Sequence, residues 1–172
     1  MRRSEILAPA GSAPSLAAAL AAGADAVYFG VDEGWNARAR ADNFRVDDLP
    51  AVMRQIHRAG ARGYLTMNTL VFEPELAAVE RIVRAAAAAG VDALIVQDPA
   101  VALIARAVCP ALDLHASTQM TLSAPAAAAV AARLGINRIV VPRELSVDEI
   151  RAYAEQSPIE LEVFVHGALC VS

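Results

Sequence analysis

The chain has 172 residues, 56% of them hydrophobic, enough to bury a core within one domain spanning 1–172 and too apolar for a disordered tail. Its net charge of −4 at pH 7 gives no general attraction to nucleic acid or to an anionic membrane, so an RNA partner would have to be held locally. All 15 basic residues are arginine, which excludes, within this chain, Schiff-base chemistry and a P-loop lysine.

The opening Met1-Arg2-Arg3 and the alanine-rich stretch after it imitate a secretory or twin-arginine signal. Glu5, Pro9, Gly11 and Pro14 interrupt the continuous apolar segment such a signal needs. No apolar run is long enough to span a bilayer, so no membrane partner is expected. Cys109 and Cys170 do not make a disulfide framework, and a cytoplasmic location is the expectation.

Along the chain, short β-rich runs alternate with longer helical patterns. EILAPA, DAVYFG, RGYLTMNT, ALIVQD, DLHASTQM, RIVVPRE and ELEVFVHG are seven strands, each bounded by turn signals. After the second strand, the loop DEGWNARARADNF brings Trp35, Arg38, Arg40, Asn43 and Phe44 together as a lid for an anionic ligand or, more blandly, as a solvated loop with a buried anchor. The second helix carries Leu49, Val52, Ile56 and Ala59 on one face and stops at Gly60. Segment 74–89 opens at Pro74, stripes Leu76, Val79, Ile82, Val83 and Ala86, pairs Glu80 with Arg84, and stops at Gly90. Ser146 and Glu149 form a capping box ahead of the sixth helix.

Strict β/α alternation with apolar strands implies a parallel sheet covered by helices. No Gly-x-Gly-x-x-Gly follows a strand, which argues against a dinucleotide-binding sheet. The polar residues Asn68, Thr69, Gln97, Asp98, His115 to Gln119, Arg143, Glu144 and His166 all fall in the C-terminal halves of strands, positions that face one mouth in a barrel. The fold class expected is α/β, an incomplete (β/α)8 TIM-type barrel of seven parallel strands, with strand eight and the last helices missing. Its unclosed edges invite a homodimer.

Chemistry concentrates at that mouth. Alternation along DLHASTQM puts His115, Ser117 and Gln119 on one face, a ligand floor if that face points inward. Arg143 suits bidentate capture of a carboxylate or phosphate, or else pairs internally with Glu144 or Asp98. Cys170, four residues beyond His166, is a nucleophile paired with that histidine, one metal ligand of several, or a small residue in a turn. His115, Arg143 and His166 are thus the candidate catalytic groups. Arg38, Asn68, Gln97, Asp98, Ser117, Gln119 and Glu144 are candidate substrate contacts, and Cys170 is the candidate metal ligand. His57 reads as a helix-surface residue and Cys109 as part of the barrel's bottom. Neither His-Glu-x-x-His nor Gly-x-Ser-x-Gly occurs.

The segments EILAPAGS, GADAVYFG, MNTLV, GVDALIVQDP, LHASTQM, VPRELSVDEI and ELEVFVHGALCVS together resemble the U32 peptidase family, the collagenase-like proteases, with FVHGALC the most specific element. The MNTL, IVQD and HASTQ variants resemble most the branch that hydroxylates a cytidine of ribosomal RNA, close to the branch that hydroxylates tRNA uridine. The resemblance implies an oxygen-independent hydroxylase with a [4Fe–4S] cluster on four cysteines and, in some members, prephenate as co-substrate. Only the first of those cysteines is matched, by Cys170, so this chain by itself is expected to bind no cluster and to be inactive. The resemblance also leaves collagenase-like peptide hydrolysis as an alternative, and an inactive fragment or binding module as another. A dianionic co-substrate would call on Arg143 and Arg38, with His115 or Gln119 at its polar edges.

Overall fold

Each of the seven β-rich runs forms a strand because its apolar residues face two ways, toward a layer of helices and toward the strand ring's interior. The computed structural model describes residues 3–37 and 42–167. Its strands are β1 (Leu7–Pro9), β2 (Ala26–Phe29), β3 (Arg62–Met67), β4 (Ala93–Val96), β5 (Asp113–Ala116), β6 (Arg138–Val140) and β7 (Glu160–Glu162). The helices between them are α1 (Ala13–Ala21), α2 (Leu49–Arg58), α3 (Leu76–Ala89), α4 (Pro99–Val108), α5 (Pro125–Arg133) and α6 (Val147–Gln156). All strand pairs are parallel and the order is β1-β2-β3-β4-β5-β6-β7. A doubly wound sheet reverses its strand order part-way; this one never does, so it is seven strands of a (β/α)8 barrel, as the sequence implied.

Residues paired across neighbouring strands point to the same side, and this separates two sets. Phe29, Leu65, Leu94 and Leu114 are in register and face outward onto the helices. There they join Val52, Ile56, Val79, Ile82 and Val83 in the main core. Each fully buried side chain of this kind contributes about 1.5–3 kcal/mol. The other set faces inward: Thr66, Ile95, His115, Arg138 and Glu160 follow one register line, with Tyr64 and Ala93 beside it. Ala26, Tyr64, Ala93 and Ile95 form a small apolar cluster here, with Leu7 and Tyr28 packed against it, beside the polar residues of the register line.

Helix boundaries follow the chain's capping chemistry. Ser146 and Glu149 cap α6 reciprocally, and Gly90 ends α3 with a φ of 76°, a left-handed conformation that costs glycine little. Pro74 lies in a 3-10 turn at Glu73–Glu75, one turn before α3 proper. Strand five is shorter than its sequence run because the Ser117 hydroxyl accepts from the Gln119 amide and turns the chain into a 3-10 segment at Thr118–Met120. Beyond β7, Val163 and Val165 are exposed, the latter 96%. No helix among the described residues is long and apolar enough to cross a membrane.

Candidate active site

The C-terminal ends of the strands surround a cavity of about 270 Å³. Tyr28, Thr66, Ile95, Val140 and Glu162, from five strands, and Ser117, just past β5, line its wall and floor; Asn68, Gln119, Arg143 and Phe164 stand at its rim. The inward set of side chains therefore ends in a polar hollow with an aromatic on either flank.

Asn68 is the clasp of this rim. Its Oδ1 accepts from the Ala37 amide at 3.0 Å, and its Nδ2 donates to Ser117 Oγ at 3.3 Å. The loop after β2 is thereby tied to the turn after β5. Ser117 Oγ also accepts from the Gln119 amide at 3.3 Å, leaving its own proton to be directed elsewhere. Thr66 Oγ1 donates to the Phe29 carbonyl at 3.0 Å, so the hydroxyl presents lone pairs. Arg143 lays its guanidinium over the Phe164 ring, 4.2 Å from the centroid, which holds the cation flat beside the opening.

The loop after β2 is folded tightly against this rim. Asn36 Nδ2 donates to the Val31 carbonyl, the Asn43 amide donates to the Gly11 carbonyl, and Phe44 packs edge-on against Phe29. A Cβ at Gly30 would lie 2.8 Å from atoms of both Asn36 and Asn43, closer than real contacts allow. Gly30→Ala should therefore push the loop off the rim and cost about 1–3 kcal/mol, read as a lower thermal unfolding midpoint. An unchanged midpoint would show that the loop yields freely.

Not every candidate gathers here. Asn68, Ser117, Gln119 and Arg143 line the cavity together with Thr118. His115 faces into the ring one layer lower, edge-on to Tyr64 at 4.8 Å between centroids, and does not line the mouth cavity. Asp98 caps α4 through the Ala100 amide and also accepts from the Val71 amide, so its carboxylate is spent on backbone. Gln97 is half-buried and Glu144 is exposed; neither lines the cavity. His166 is exposed on an adjoining groove of about 330 Å³ beside α6, which shares Arg143 and Phe164 with the mouth cavity. Arg38 and Cys170 lie outside the described residues.

Beneath the mouth, charges close the barrel floor. Glu5 accepts from Tyr64 Oη at 2.8 Å and from Arg138 Nη1 at 2.7 Å, and is also paired with Arg62. Arg138 reaches Glu160 at 3.0 Å and stands 3.6 Å from Glu162. Burial, then the nearby Arg138 and Arg62, push the His115 imidazole down to about 3, so it is neutral at physiological pH. Sequence reasoning passed over Glu5, Arg138 and Glu162. Glu162 had a legible signal, since alternation along ELEVF sets Glu162 and Phe164 on one face of a strand whose other face carries Leu161 and Val163.

Burial also raises the Glu162 carboxyl above its usual range, against the opposing pull of Arg138. A carboxyl whose folded value is raised binds its proton more tightly folded than unfolded, so stability falls as pH rises from the unfolded value through the raised one and stays at the lower level above it. Glu162→Gln should therefore melt higher than the unaltered protein at pH 7, with the difference vanishing below 4.5, where the carboxyl is protonated in both states. A difference that stays constant with pH would contradict this.

Among the described residues no group of three His, Cys, Asp or Glu is placed to hold a metal. Cys109 ends α4 at the opposite end of the barrel from the mouth.

The model of Peptidase family U32 matches residues 11–172. The chain belongs to this family. Curated relatives include a collagenase of Porphyromonas gingivalis, 37% identical over 98% of this chain, and the 23S rRNA 5-hydroxycytidine C2501 synthase of Escherichia coli, 38% identical over 99%. A third, tRNA hydroxylation protein P1 of Bacillus subtilis, is 36% identical over 99%. The chain spans 42%, 25% and 40% of these relatives' own lengths, respectively. Among solved structures the U32 peptidase Mk0906 superposes with a TM-score of 0.72 at 19% identity, covering 95% of this chain and 70% of that one. A phosphonopyruvate hydrolase complexed with oxalate and Mg²⁺ has a TM-score of 0.64 at 14% identity, covering 94% of this chain and 66% of that one. Both likenesses concern the barrel fold. The mouth cavity of this U32 chain brings together hydrogen-bonding side chains, aromatic rings and the Arg143 cation.

Proposed function

We propose that this chain is the ligand-binding barrel of a U32 enzyme that hydroxylates a pyrimidine base of RNA, rRNA cytidine or tRNA uridine, without molecular oxygen. The observation that carries the reading is the composition of the mouth cavity. Asn68, Ser117 and Gln119 offer donors and acceptors in the pattern a base edge requires, while Tyr28 and Phe164 supply faces for stacking. A cavity of about 270 Å³ lies near the lower end of ligand pockets, ~300–1,000 Å³, and suits one flipped ring rather than a helix. Arg143 fits a carboxylate or phosphate at the rim, either the RNA backbone or a small dianionic co-substrate such as prephenate. Relatives named for RNA hydroxylation support this class, and RNA substrates support a cytoplasmic site of action.

The cofactor proposed for the parent enzyme is a [4Fe–4S] cluster with Cys170 among its ligands. Such a cluster takes four thiolates, whereas the chain has two cysteines and Cys109 lies at the far end of the barrel. These residues do not hold a cluster by themselves; one at the mouth needs thiolates from beyond these 172 residues. What this chain contributes to the reaction is binding and orientation: a base stacked between rings, its edge read by Asn68 and Gln119, and its charged surroundings neutralised by Arg143.

A second reading, peptide hydrolysis, is supported by the collagenase relative. It would use His166 with Cys170, and His166 stands on the groove beside α6 rather than at the mouth. Nucleoside mass spectrometry of total RNA separates the two. Deleting the gene should remove one hydroxylated cytidine or uridine, and restoring the gene should bring it back. An RNA nucleoside profile unchanged by the deletion, with gelatin cleavage lost instead, would favour the peptidase.

A further inference from the structure

Glu162 is an ionisable side chain that the site's other residues leave with spare capacity. It projects from the end of β7 into the floor of the mouth cavity, with Val140 as its register partner on β6. Its side chain is 18% exposed, and Oε2 has no hydrogen-bond partner among the described residues. Arg138 Nη1, at 3.6 Å from Oε2, is too far to donate a hydrogen bond and already donates to Glu5, while Nη2 of the same guanidinium donates to Glu160. A buried polar atom without a partner costs about 1–3 kcal/mol and persists where something outside the protein completes it. Oε2 itself is sealed beside Arg138, so a completing group meets the exposed part of the carboxyl, which lines the cavity.

We infer that Glu162 is a ligand-reading residue of the mouth cavity, its carboxyl forming a hydrogen bond to the polar edge of the bound ring. This rests on the pyrimidine reading above. The groups facing Glu162 decide which form it takes. Arg138 on β6 favours the carboxylate and burial favours the acid, while Arg143 after β6, Glu5 ahead of β1 and the neutral Tyr64 on β3 are the other ionisable groups around it. His115 on β5 is neutral throughout the physiological range. Burial outweighs the Arg138 contribution, so the protonated carboxyl is the favoured form over a wider pH span than for an exposed glutamate. A neutral carboxyl donates through O–H and accepts through C=O. It can therefore meet a pyrimidine edge that offers one acceptor and one donor side by side, as the ring N3 and its exocyclic neighbour do in both cytosine and uracil. An ionised carboxylate accepts only. Glutamine has the same donor–acceptor pair without a titration, which makes it the informative replacement.

The test is a titration of the protein with cytidine and, separately, with uridine, followed by NMR between pH of about 5.5 and about 8. Nucleosides carry no phosphate to titrate in that range. For the unaltered protein, affinity should fall as pH rises through the raised value of Glu162. Glu162→Gln should bind within about threefold of the low-pH value and be flat with pH. Glu162→Ala should bind roughly tenfold more weakly at low pH, the loss of one hydrogen bond to a buried partner. If Gln and Ala weaken binding equally, or if the Gln variant keeps the pH dependence, the role given to Glu162 is wrong while the pyrimidine reading stands. If the unaltered protein binds neither nucleoside, both fall. Folding of each variant is checked by its amide spectrum, and Glu162→Asp, which keeps the acid but withdraws it, should bind as weakly as Ala if contact with the ring is what matters.

Discussion

Arg138→Ala should cost this protein about 3–5 kcal/mol of stability, the range for removing one partner of a buried ionic network. Arg138 is 13% exposed and ties together chain segments far apart in sequence, Glu5 ahead of β1 and Glu160 on β7. It also lies 5.8 Å from the centre of the Tyr64 ring, so its stem and guanidinium fill the lower ring interior as well as neutralising it. Without it, Glu160 and Glu162 lose their cation, and Glu5 keeps the pairing with Arg62 and the hydrogen bond from Tyr64. The expected fall in midpoint is on the order of 10 °C for a chain of this size. Arg138→Met, which restores much of the volume, should recover part of that loss but not the charge term. Equal midpoints for the unaltered protein and Arg138→Ala would mean that the floor network is solvated and adds nothing.

Acidification should be nearly as damaging, through His115. The imidazole is 3% exposed and its folded value of about 3 lies below the ordinary 6.5. The unfolded chain therefore takes up a proton below 6.5 that the folded chain refuses, and stability falls as pH falls through that window. Each pH unit within it costs about 1.4 kcal/mol, so a change from 6.5 to about 5 removes ~2 kcal/mol. Replacing His115 with Asn or Gln should flatten this part of the stability–pH curve, whatever it does to stability at pH 7. Chemical denaturation at several pH values measures it, and an unchanged slope in the variant would assign the acid sensitivity to other groups.

These two effects come from the barrel floor, where sequence reading was weakest. The barrel itself was legible because its outward strand residues and helix stripes repeat with clean periods: Leu65, Leu94 and Leu114 on one side, Val79, Ile82 and Val83 on the other. The mouth was legible in part. Polar residues at strand ends have one place to go in a barrel, and Asn68, Ser117 and Arg143 went there. His115 was misjudged in depth rather than direction. It does face inward, but strand stagger sets it opposite Arg138 at the floor instead of beside Gln119. Stagger is a property of closure and leaves no trace in the local sequence. Asp98 looked like a site residue for the same positional reason, yet it sits where α4 needs a cap, and the Asp-Pro pair that signals this was read as a strand end. The Glu5–Arg138 contact joins residues 133 apart, beyond the reach of any periodicity.

On the proposed reading, the cavity at the strand ends is where this U32 chain meets its substrate. Backbone amide shifts in an NMR titration with cytidine report where a pyrimidine binds. Perturbations should concentrate at Gly30, Ala37, Asn68, Ser117, Gln119 and Arg143, around the mouth, and should be abolished by Asn68→Ala together with Arg143→Ala. Perturbations centred instead on Val147, Ile150 and His166, along the outer groove, would contradict it.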